Sequence, residues 1–290
     1  MNGILLINKQ VGYTSHDIVY KVKKVLNEKV GHTGTLDPMA EGLLPLLVGK
    51  GTLCSKYLIN HDKKYIVTIQ LGMKTDTADL EGNIIEEQSV KKQSLNKKNI
   101  ERVLNTFIGK QEQIPPIYSA IKVNGKKLYE YARKGQEVEI KPRQIEIYEI
   151  KLLSINQEEN QIELEVFCGK GTYIRSLCED IATKLDTVGY MKRLKRIQVG
   201  EFNIKDSVTV EELESNIGKI ISIEELFKDK DSINLNNRKL ELFLNGVKLT
   251  QEYKDGIYRI YNNQKFIGIG VIENNLLKRD IIISPYSNYH

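Results

Sequence analysis

Two different hydrophobic periods run through this chain, and together they predict a fold that mixes strands with helices. Residues 64–71 alternate between an apolar and a more polar face, with Tyr65 and Val67 on the apolar one, which predicts a half-buried strand. Thr14, with Asp17 three positions later, predicts a capping box at the start of a helix. Three segments repeat their apolar residues at the helical spacing of three and four: 18–26, 100–108 before Gly109, and 174–185.

Short strands and tight turns dominate the last part of the chain. Strands are predicted over 257–261, 265–272 and 279–283. Turns are expected at Asn262-Asn263 and Asn274-Asn275, because asparagine tolerates the positive φ angles of tight hairpins. Helical segments that contain acidic residues replace the strand pattern between 206 and 235, so a domain boundary is expected there. The simplest interpretation is a compact β-rich appendage of roughly 55 residues, near the lower size limit for independent folding.

The composition restricts where the chain can work. Its hydrophobic fraction of 40% and charged fraction of 28% are those of an ordinary soluble protein. The sequence has no apolar run of membrane-spanning length and no basic-then-apolar leader, so neither membrane insertion nor export is expected. Cys54, Cys168 and Cys178 are odd in number and share no C-x-x-C spacing, which favours reduced thiols in a cytosolic compartment.

Basic residues outnumber acidic ones by 43 to 38, and many of them fall in three clusters. The middle cluster surrounds the hairpin signal Asn124-Gly125 and includes three tyrosines, a combination that suits phosphate contact and base stacking. The alternative is that these residues only form solvent-exposed surfaces, as most runs of charged residues do. The members are Lys21, Lys23, Lys24 and Lys29; then Lys122, Lys126, Lys127, Arg133, Lys134, Lys141 and Arg143 with Tyr118, Tyr129 and Tyr131; then Lys192, Arg193, Lys195 and Arg196. The charge therefore permits a nucleic-acid partner without requiring one.

A single carboxylate stands in the short glycine- and threonine-rich run Gly31-His32-Thr33-Gly34-Thr35-Leu36-Asp37-Pro38. Gly31 and Gly34 allow backbone angles that most residues avoid. Pro38 biases Asp37 away from the helical region of backbone space. The run is typical of a loop that presents one acid in a fixed conformation. The alternative is that Asp37 only starts the next turn, as Asp-Pro pairs commonly do.

Several familiar motifs are incomplete in this sequence. Gly49-Lys50 and Gly169-Lys170 lack the earlier glycine and the following serine or threonine of a phosphate-binding loop. The four histidines have no paired spacing that would hold a metal, and no G-x-S-x-G elbow is present. Asp37 therefore needs partners from elsewhere in the chain.

Arg175 and Tyr65 are candidates for that partnership. Arg175 lies near the N-terminus of its predicted helix, where the helix dipole disfavours a cation, so an anion from another segment would stabilise it there. A surface pair with Glu179, one turn further along, is the alternative. Tyr65 points inward from its predicted strand, where a tyrosine is usually part of the core with its hydroxyl hydrogen-bonded.

These residues resemble the signature of the TruB family of tRNA pseudouridine synthases. Gly31-His32-Thr33-Gly34-Thr35-Leu36-Asp37-Pro38-x-Ala40-x-Gly42-x-Leu44-Pro45 is similar to its central motif. Further motifs occur in the family's order: Asn8-Lys9-x-x-Gly12-x-Thr14-Ser15, Lys64-Tyr65, Gly72-x-x-Thr75-Asp76-Thr77, Pro115-x-x-Tyr118-Ser119-Ala120 and Gly171-Thr172-Tyr173-Ile174-Arg175. The resemblance covers essentially the whole chain and is weakest after about residue 205. The family usually has proline after Lys9, where this chain has Gln10, which affects the stiffness of that turn rather than the chemistry.

The resemblance implies an α+β fold of two domains. Residues 1–230 would form the catalytic domain, with a mixed, largely antiparallel central sheet flanked by helices and an RNA-gripping insertion at about 110–142. Residues 231–290 would form a small β-rich, PUA-like RNA-binding domain. The implied activity is isomerisation of the uridine at position 55 in the tRNA T-loop to pseudouridine. No cofactor, metal or protein partner is implied, and a cytoplasmic monomer acting on the tRNA T-arm is expected.

The resemblance also implies a role for individual residues. Asp37 would be the nucleophile, attacking either C1′ of the sugar or C6 of the base, and Arg175 would pair with its carboxylate. Tyr65 would stack on the flipped uracil and help in proton transfer. His32 would insert where the base had been, and Tyr173 and Leu194 would line the uracil pocket.

Two other classes of protein share part of this pattern. A non-catalytic RNA-binding protein would explain the basic clusters and the β-rich tail, but it has no use for Asp37. A glycosidase-like hydrolase would use a carboxylate at a sugar carbon, but it normally needs a second acid nearby.

Overall fold

The computed structural model describes residues 1–213 and 220–283. Seven α-helices are assigned within these ranges: α1 (Ser15–Leu26), α2 (Ser55–Leu58), α3 (Lys97–Asn105), α4 (Leu128–Ala132), α5 (Ile174–Lys184), α6 (Ile223–Leu226) and α7 (Asn237–Leu244). The strands up to the middle of the chain are β1 (Gly3–Lys9), β2 (Val30–His32), β3 (Glu41–Val48), β4 (Lys63–Leu71), β5 (Met73–Thr75), β6 (Ile84–Glu87), β7 (Gly109–Gln113), β8 (Lys122–Val123), β9 (Lys126–Lys127) and β10 (Arg143–Asn156). The later strands are β11 (Gln161–Cys168), β12 (Gly189–Val199), β13 (Phe202–Asn203), β14 (Ile221–Ser222), β15 (Ser232–Asn234), β16 (Leu249–Thr250), β17 (Gly256–Asn262), β18 (Lys265–Glu273) and β19 (Leu276–Ile282).

A ten-stranded sheet organises most of the chain. Its strand order is β14-β1-β3-β12-β4-β11-β10-β7, with β2 paired to β3 and β13 paired to β12. All of these pairs are antiparallel except β12 with β3. Helices α3 and α5 pack their apolar sides into the core with β4, β10 and β11, and α1 packs on β1 and β3. The predicted α+β class, with a largely antiparallel central sheet flanked by helices, is therefore confirmed.

The parallel pair of this sheet, β12 with β3, depends on a glycine. Gly42 of β3 lies opposite Arg196 of β12 and has a φ of 107°, which is in the left-handed region. A Cβ atom on Gly42 would lie 2.3 Å from the Arg196 carbonyl oxygen. Only glycine allows β3 and β12 to approach this closely. The strand that follows the Asp37 loop is thereby joined to the centre of the sheet.

Several local predictions are confirmed. Helix α1 begins with the predicted capping box, in which the Asp17 backbone N–H donates to Thr14 and the Asp17 carboxylate accepts from the Thr14 backbone N–H. In β4, Tyr65 and the alternate residues after it are buried. Asn124-Gly125 forms the turn between β8 and β9.

Some predicted boundaries are wrong. Helix α3 ends at Asn105, because the Thr106 and Phe107 amides bond three residues back and tighten the last turn. Ile108 then points outward with 47% of its surface exposed, although the helical period places it on the apolar face. The turn after β17 is formed by Asn263 and Gln264, both at positive φ, one residue later than predicted.

Asn262 is the last residue of β17 and not a turn residue. Its amide is buried and donates to the Leu235 carbonyl oxygen at 2.8 Å. The second predicted turn is correct, since Asn274 and Asn275 both have positive φ. The third predicted strand begins earlier than expected, at Leu276.

A second sheet of five strands, in the order β15-β17-β18-β19-β16, contains the later elements. With α7 it encloses its own apolar core around Phe243 and Leu277. It also shares an apolar cluster with the first sheet, in which Ile269 and Ile281 pack with Ile4 and Leu43. Across this junction the Asp280 carboxylate accepts from Lys56 and Tyr57, and Lys50 Nζ donates to the Ile283 carbonyl oxygen at 3.1 Å.

Parts of the predicted boundary region and tail lie outside the described residues, namely 214–219 and 284–290. Of the two acidic segments predicted to be helical there, 223–226 forms α6. Residues 210–213 form a turn instead, in which Thr209 and Glu212 exchange hydrogen bonds. Among the helices of the described ranges, none has the length and apolar character needed to cross a membrane.

Candidate active site

The Asp37 loop connects β2 to β3 and is fixed by hydrogen bonds to its backbone. Ser15, at the start of α1, accepts from the Leu36 amide at 2.8 Å and donates to the Leu36 carbonyl oxygen at 3.0 Å. The Gly12 amide donates to the Pro38 carbonyl oxygen at 2.9 Å, and the Ala40 amide bonds back to Asp37 at 3.0 Å. Asp37 therefore lies in a turn that is fixed both by its own hydrogen bond to Ala40 and by bonds from Ser15 and Gly12 to its neighbours. This agrees with the prediction of a loop that presents one acid in a fixed conformation.

A buried lysine holds the second half of the loop. Lys9 Nζ donates to the carbonyl oxygens of Tyr13 at 2.6 Å, Gln10 at 3.0 Å and Pro38 at 3.3 Å. Burial lowers the pKa of Lys9 to about 8, against the opposing effect of the nearby Asp37 carboxylate. The loop that carries Gln10 in place of the family's proline is thus tied to the Asp37 loop by the neighbouring lysine.

Arg175 and Asp37 form an ion pair across the fold. Arg175 Nε lies 3.2 Å from Asp37 Oδ2, and the side-chain exposures are 9% for the arginine and 40% for the aspartate. The guanidinium is thus buried behind an accessible carboxylate. Glu179, the alternative partner of Arg175, pairs instead with Lys74 at 3.5 Å.

Asp79 is a second carboxylate on the same guanidinium. Arg175 Nη1 lies 3.4 Å from Asp79 Oδ2, and Asp79 is itself buried. Arg175 also donates to the carbonyl oxygens of Thr77 at 3.3 Å and Tyr118 at 2.9 Å. Reasoning from the sequence alone missed Asp79, although it follows Thr75-Asp76-Thr77 by two positions. The Asp79 carboxylate and two backbone carbonyl oxygens therefore fix the guanidinium that pairs with Asp37.

We expect Asp79→Asn to slow the single-turnover reaction by about tenfold to a hundredfold, the range found when a group that orients a metal ligand is lost. The side chain keeps its shape but loses the charge that anchors Arg175, so the guanidinium becomes less well fixed. Asp76→Asn is the matched control, because Asp76 lies in the same turn and accepts instead from the Asn83 amide. Equal rates for the two variants, measured in single-turnover reactions with excess protein, would show that Asp79 has no part in orienting Arg175.

Tyr65 is buried, with 7% of its surface exposed, and lies opposite Arg196 in the pairing of β4 with β12. Burial raises the pKa of Tyr65 to about 12, and the Arg196 charge opposes this shift. Leu194 is two residues before Arg196 on β12 and belongs to the same apolar cluster as Tyr65 and Leu36. The structure therefore brings Tyr65 and Leu194 to the side of the sheet that the Asp37 loop covers.

Tyr173 is the N-terminal cap residue of α5 and is half-buried. Its own side chain does not cap the helix; instead Gln113 holds its backbone, with Nε2 donating to the carbonyl oxygen at 3.0 Å and Oε1 accepting from the amide at 2.8 Å. Burial raises the pKa of the Tyr173 hydroxyl, and the charges of Arg143, Arg175 and Asp37 also act on it. Tyr173 is thus part of the same electrostatic neighbourhood as the ion pair.

His32 ends β2 and is exposed beside the loop. Partial desolvation lowers its pKa, and the positive charges of Arg196 and His16 lower it further. The imidazole is therefore neutral at neutral pH. A neutral ring is suited to stacking or insertion rather than to an ion pair with phosphate.

The basic clusters differ in how accessible they are. In the middle cluster, Lys127 and Arg133 both lie over the Tyr129 ring, at 5.3 and 5.4 Å from its centre. In the third cluster Lys195 pairs with Glu41 at 3.6 Å. Arg196 is 2% exposed, so this member of the third cluster cannot belong to an exposed basic face. Charges adjacent in sequence alternate between the two faces of a strand, which separates them in space.

Comparison with known proteins gives consistent matches along the chain. The model of the TruB family pseudouridylate synthase N-terminal domain matches residues 22–174. The tRNA pseudouridylate synthase B C-terminal domain matches 175–226, and the C-terminal domain of pseudouridine synthase II TruB matches 232–278.

Curated relatives extend over nearly the full length. The tRNA pseudouridine synthase B of Clostridium kluyveri is 46% identical over 281 residues, covering 93% of this chain and 96% of that protein. The protein of the same name from Caldanaerobacter subterraneus subsp. tengcongensis is 42% identical and covers 96% of this chain and 98% of that protein.

Among solved structures, a Cbf5–Nop10–Gar1 complex contains a chain with a TM-score of 0.66 at 23% identity, covering 93% of this chain and 78% of that one. A chain from an H/ACA RNP bound to a substrate RNA has a TM-score of 0.68 at 21% identity, covering 98% and 86%. These two likenesses concern the fold.

Proposed function

The chain belongs to the TruB family of pseudouridylate synthases, and from this premise we propose that it converts the uridine at position 55 of the tRNA T-loop to pseudouridine with Asp37 as the nucleophile. The observation that carries the proposal is the accessible Asp37 carboxylate, 3.2 Å from the buried Arg175 guanidinium. This pair supplies an oriented nucleophile at an open surface. A protein that only binds RNA has no need for it.

The reaction rearranges one nucleotide without adding or removing atoms. The bond between N1 of uracil and C1′ of the sugar breaks, the uracil turns, and C5 bonds to C1′, after which the C5 proton leaves and N1 gains one. Asp37 forms a transient bond to C1′ or to C6 of the base. Arg175 keeps one carboxylate oxygen engaged, which directs the other toward the reacting nucleotide.

The uridine must leave its stack to reach Asp37. Extrusion of a base costs a few kcal/mol, which contacts to the flipped nucleotide must offset. We assign Tyr65, Tyr173 and Leu194 to the uracil pocket, because Tyr65 and Leu194 share an apolar cluster with Leu36 beside Asp37 and the Asp37 charge acts on both tyrosine hydroxyls. We assign His32, on the exposed end of β2, to the space that the base leaves, which a neutral ring can occupy.

We divide the chain into a catalytic domain, residues 1–230, and a PUA-like RNA-binding domain, residues 231–290. The separate five-stranded sheet with its own core supports this division, as does the family match that begins at residue 232. The segment at about 110–142 would grip the RNA, supported by the exposed lysines around the β8–β9 turn. The three free cysteines favour a cytoplasmic protein, and a monomer is expected, as the family resemblance implies.

The experiment that tests this function uses a tRNA transcript and the purified protein alone. We expect one pseudouridine, at position 55, and no product when that uridine is replaced by cytidine. Release of free uracil would point to a hydrolase, and binding without product would point to an RNA-binding protein. Conversion of a different uridine would overturn the assigned position.

A further inference from the structure

Arg196 occupies a central place in the sheet. It is among the largest fully buried side chains of the described chain. In the strand register it lies opposite Tyr65 of β4 on one side and Gly42 of β3 on the other. Directly opposed residues of an antiparallel pair, such as Arg196 and Tyr65, have Cβ atoms about 5 Å apart. Arg196 therefore stands between the strand that carries Tyr65 and the strand that leaves the Asp37 loop.

Its guanidinium is directed at that loop. Nη2 donates to the Gly34 carbonyl oxygen at 3.2 Å, Nη1 to Thr35 at 3.2 Å, and Nε to Leu43 at 2.8 Å. Arg196 thus fixes the loop residues before Asp37, whereas Lys9 fixes Pro38 after it. A planar fork with donors on three nitrogens suits such a set of separated acceptors, and an ammonium group does not.

The charge of Arg196 has no carboxylate beside it. Within residues 1–213 and 220–283, no carboxylate lies within ion-pair distance of its guanidinium. Burial raises the pKa of the Tyr65 hydroxyl, and the charge of Arg196, which lies opposite Tyr65 in the strand register, is the largest of the effects that oppose this shift. Strand β12 thus places beside Tyr65 a positive charge that has no ion-pair partner in the part of the chain that the structure describes.

An RNA phosphate is not the missing counter-ion. Only 2% of the Arg196 surface is exposed, and its donors are engaged with backbone oxygens. The charge is therefore directed inward, toward the loop and Tyr65.

We propose that Arg196 is a positioning residue for the reaction, which fixes the Gly34–Thr35 side of the catalytic loop and holds the Tyr65 hydroxyl in a positive potential. This inference rests on the proposed function, because Tyr65 is assigned there to the uracil pocket. The positive potential favours any state in which the hydroxyl has given its proton away, while the hydrogen bonds keep Asp37 at the correct distance from Arg175.

Two substitutions separate the two parts of the role. Arg196→Lys keeps a positive charge and loses the fork; Arg196→Met loses both. We expect each to lower the single-turnover rate by about 100-fold, because misplacement of a reacting group by about 1 Å costs that much. Binding of T-arm RNA should stay close to that of the unsubstituted protein. Arg102→Gln, on the exposed face of α3, is the control for losing one positive charge.

A spectroscopic titration of Tyr65 then measures the effect of the Arg196 charge on its hydroxyl. With 3-fluorotyrosine placed at position 65, the fluorine NMR shift follows ionisation of that one phenol without need of activity. We expect the midpoint to move to higher pH in Arg196→Met and to stay near that of the unsubstituted protein in Arg196→Lys. Thermal unfolding of all variants shows whether they are folded at the assay temperature. If Arg196→Met is unfolded there, the rate of Arg196→Lys is the test.

An unchanged midpoint in folded Arg196→Met would overturn the electrostatic part of the proposal. An unchanged rate in Arg196→Lys would overturn the part that concerns the loop. Failure of the proposed function is seen separately, as absence of pseudouridine with the unsubstituted protein, and the fluorine titration remains valid in that case.

Discussion

Asp37→Asn is expected to abolish pseudouridine formation while leaving the binding of T-arm RNA close to that of the unsubstituted protein. Asparagine has nearly the same shape but is a far weaker nucleophile, so the rate should fall by at least about 10⁴-fold, as for other enzymes that lose a nucleophile. The binding surface is unaffected, because Arg175 remains held by Asp79 and by the Tyr118 carbonyl oxygen. Nucleosides from a digested tRNA transcript give the rate, and titration of labelled T-arm RNA gives the affinity.

The control for this substitution is Asp186→Asn. Asp186 is exposed in the turn after α5 and has a φ of 58°, which asparagine tolerates well. We expect it to leave the rate unchanged. If Asp37→Asn turned over normally at short reaction times, before deamidation could restore the aspartate, the mechanism proposed for this site would be wrong.

Arg175→Lys is expected to reduce the single-turnover rate by about 100-fold or more, because the reacting carboxylate loses its fixed position. The guanidinium meets Asp37, Asp79 and two carbonyl oxygens from three of its nitrogens. A lysine side chain presents a point charge with no planar fork, so it cannot satisfy this set. The effect should appear in the rate at saturating RNA and much less in RNA affinity.

Arg102→Lys is the matched change at an exposed arginine, which among the described residues donates to Asn99. It should behave as the unsubstituted protein does. A near-normal rate for Arg175→Lys, with an unfolding midpoint unchanged from the control, would show that the ion pair with Asp37 has no part in orienting the nucleophile.

Local chemistry made much of the fold predictable from the sequence. The capping box at Thr14 and Asp17 and the alternation from Tyr65 onward depend on residues close together in the chain. Asn124-Gly125 gave a correct hairpin for the same reason. The end of α3 was wrong because a tightened last turn, not the apolar period, decides where Ile108 points.

The site was only partly predictable, because its contacts are long-range. Asp79 lies 96 residues from Arg175, and nothing in the neighbourhood of either residue indicates the other. Arg196 was misassigned because three basic neighbours suggested one exposed cluster. Its burial follows from the pairing of β12 with both β3 and β4, and no pattern within β12 specifies that register.

The anchors of the Asp37 loop have a consequence for the thermodynamics of RNA recognition. Ordering the backbone costs about 1–2 kcal/mol per residue in conformational entropy, so ordering residues 33–40 costs on the order of 10 kcal/mol. Ser15, Lys9 and Arg196 hold this loop within the folded chain, so that entropy is lost during folding and not on binding. Extrusion of a base needs only a few kcal/mol, which is less than a mobile loop would consume. The free energy of RNA contact thus remains available for drawing the uridine out of its stack.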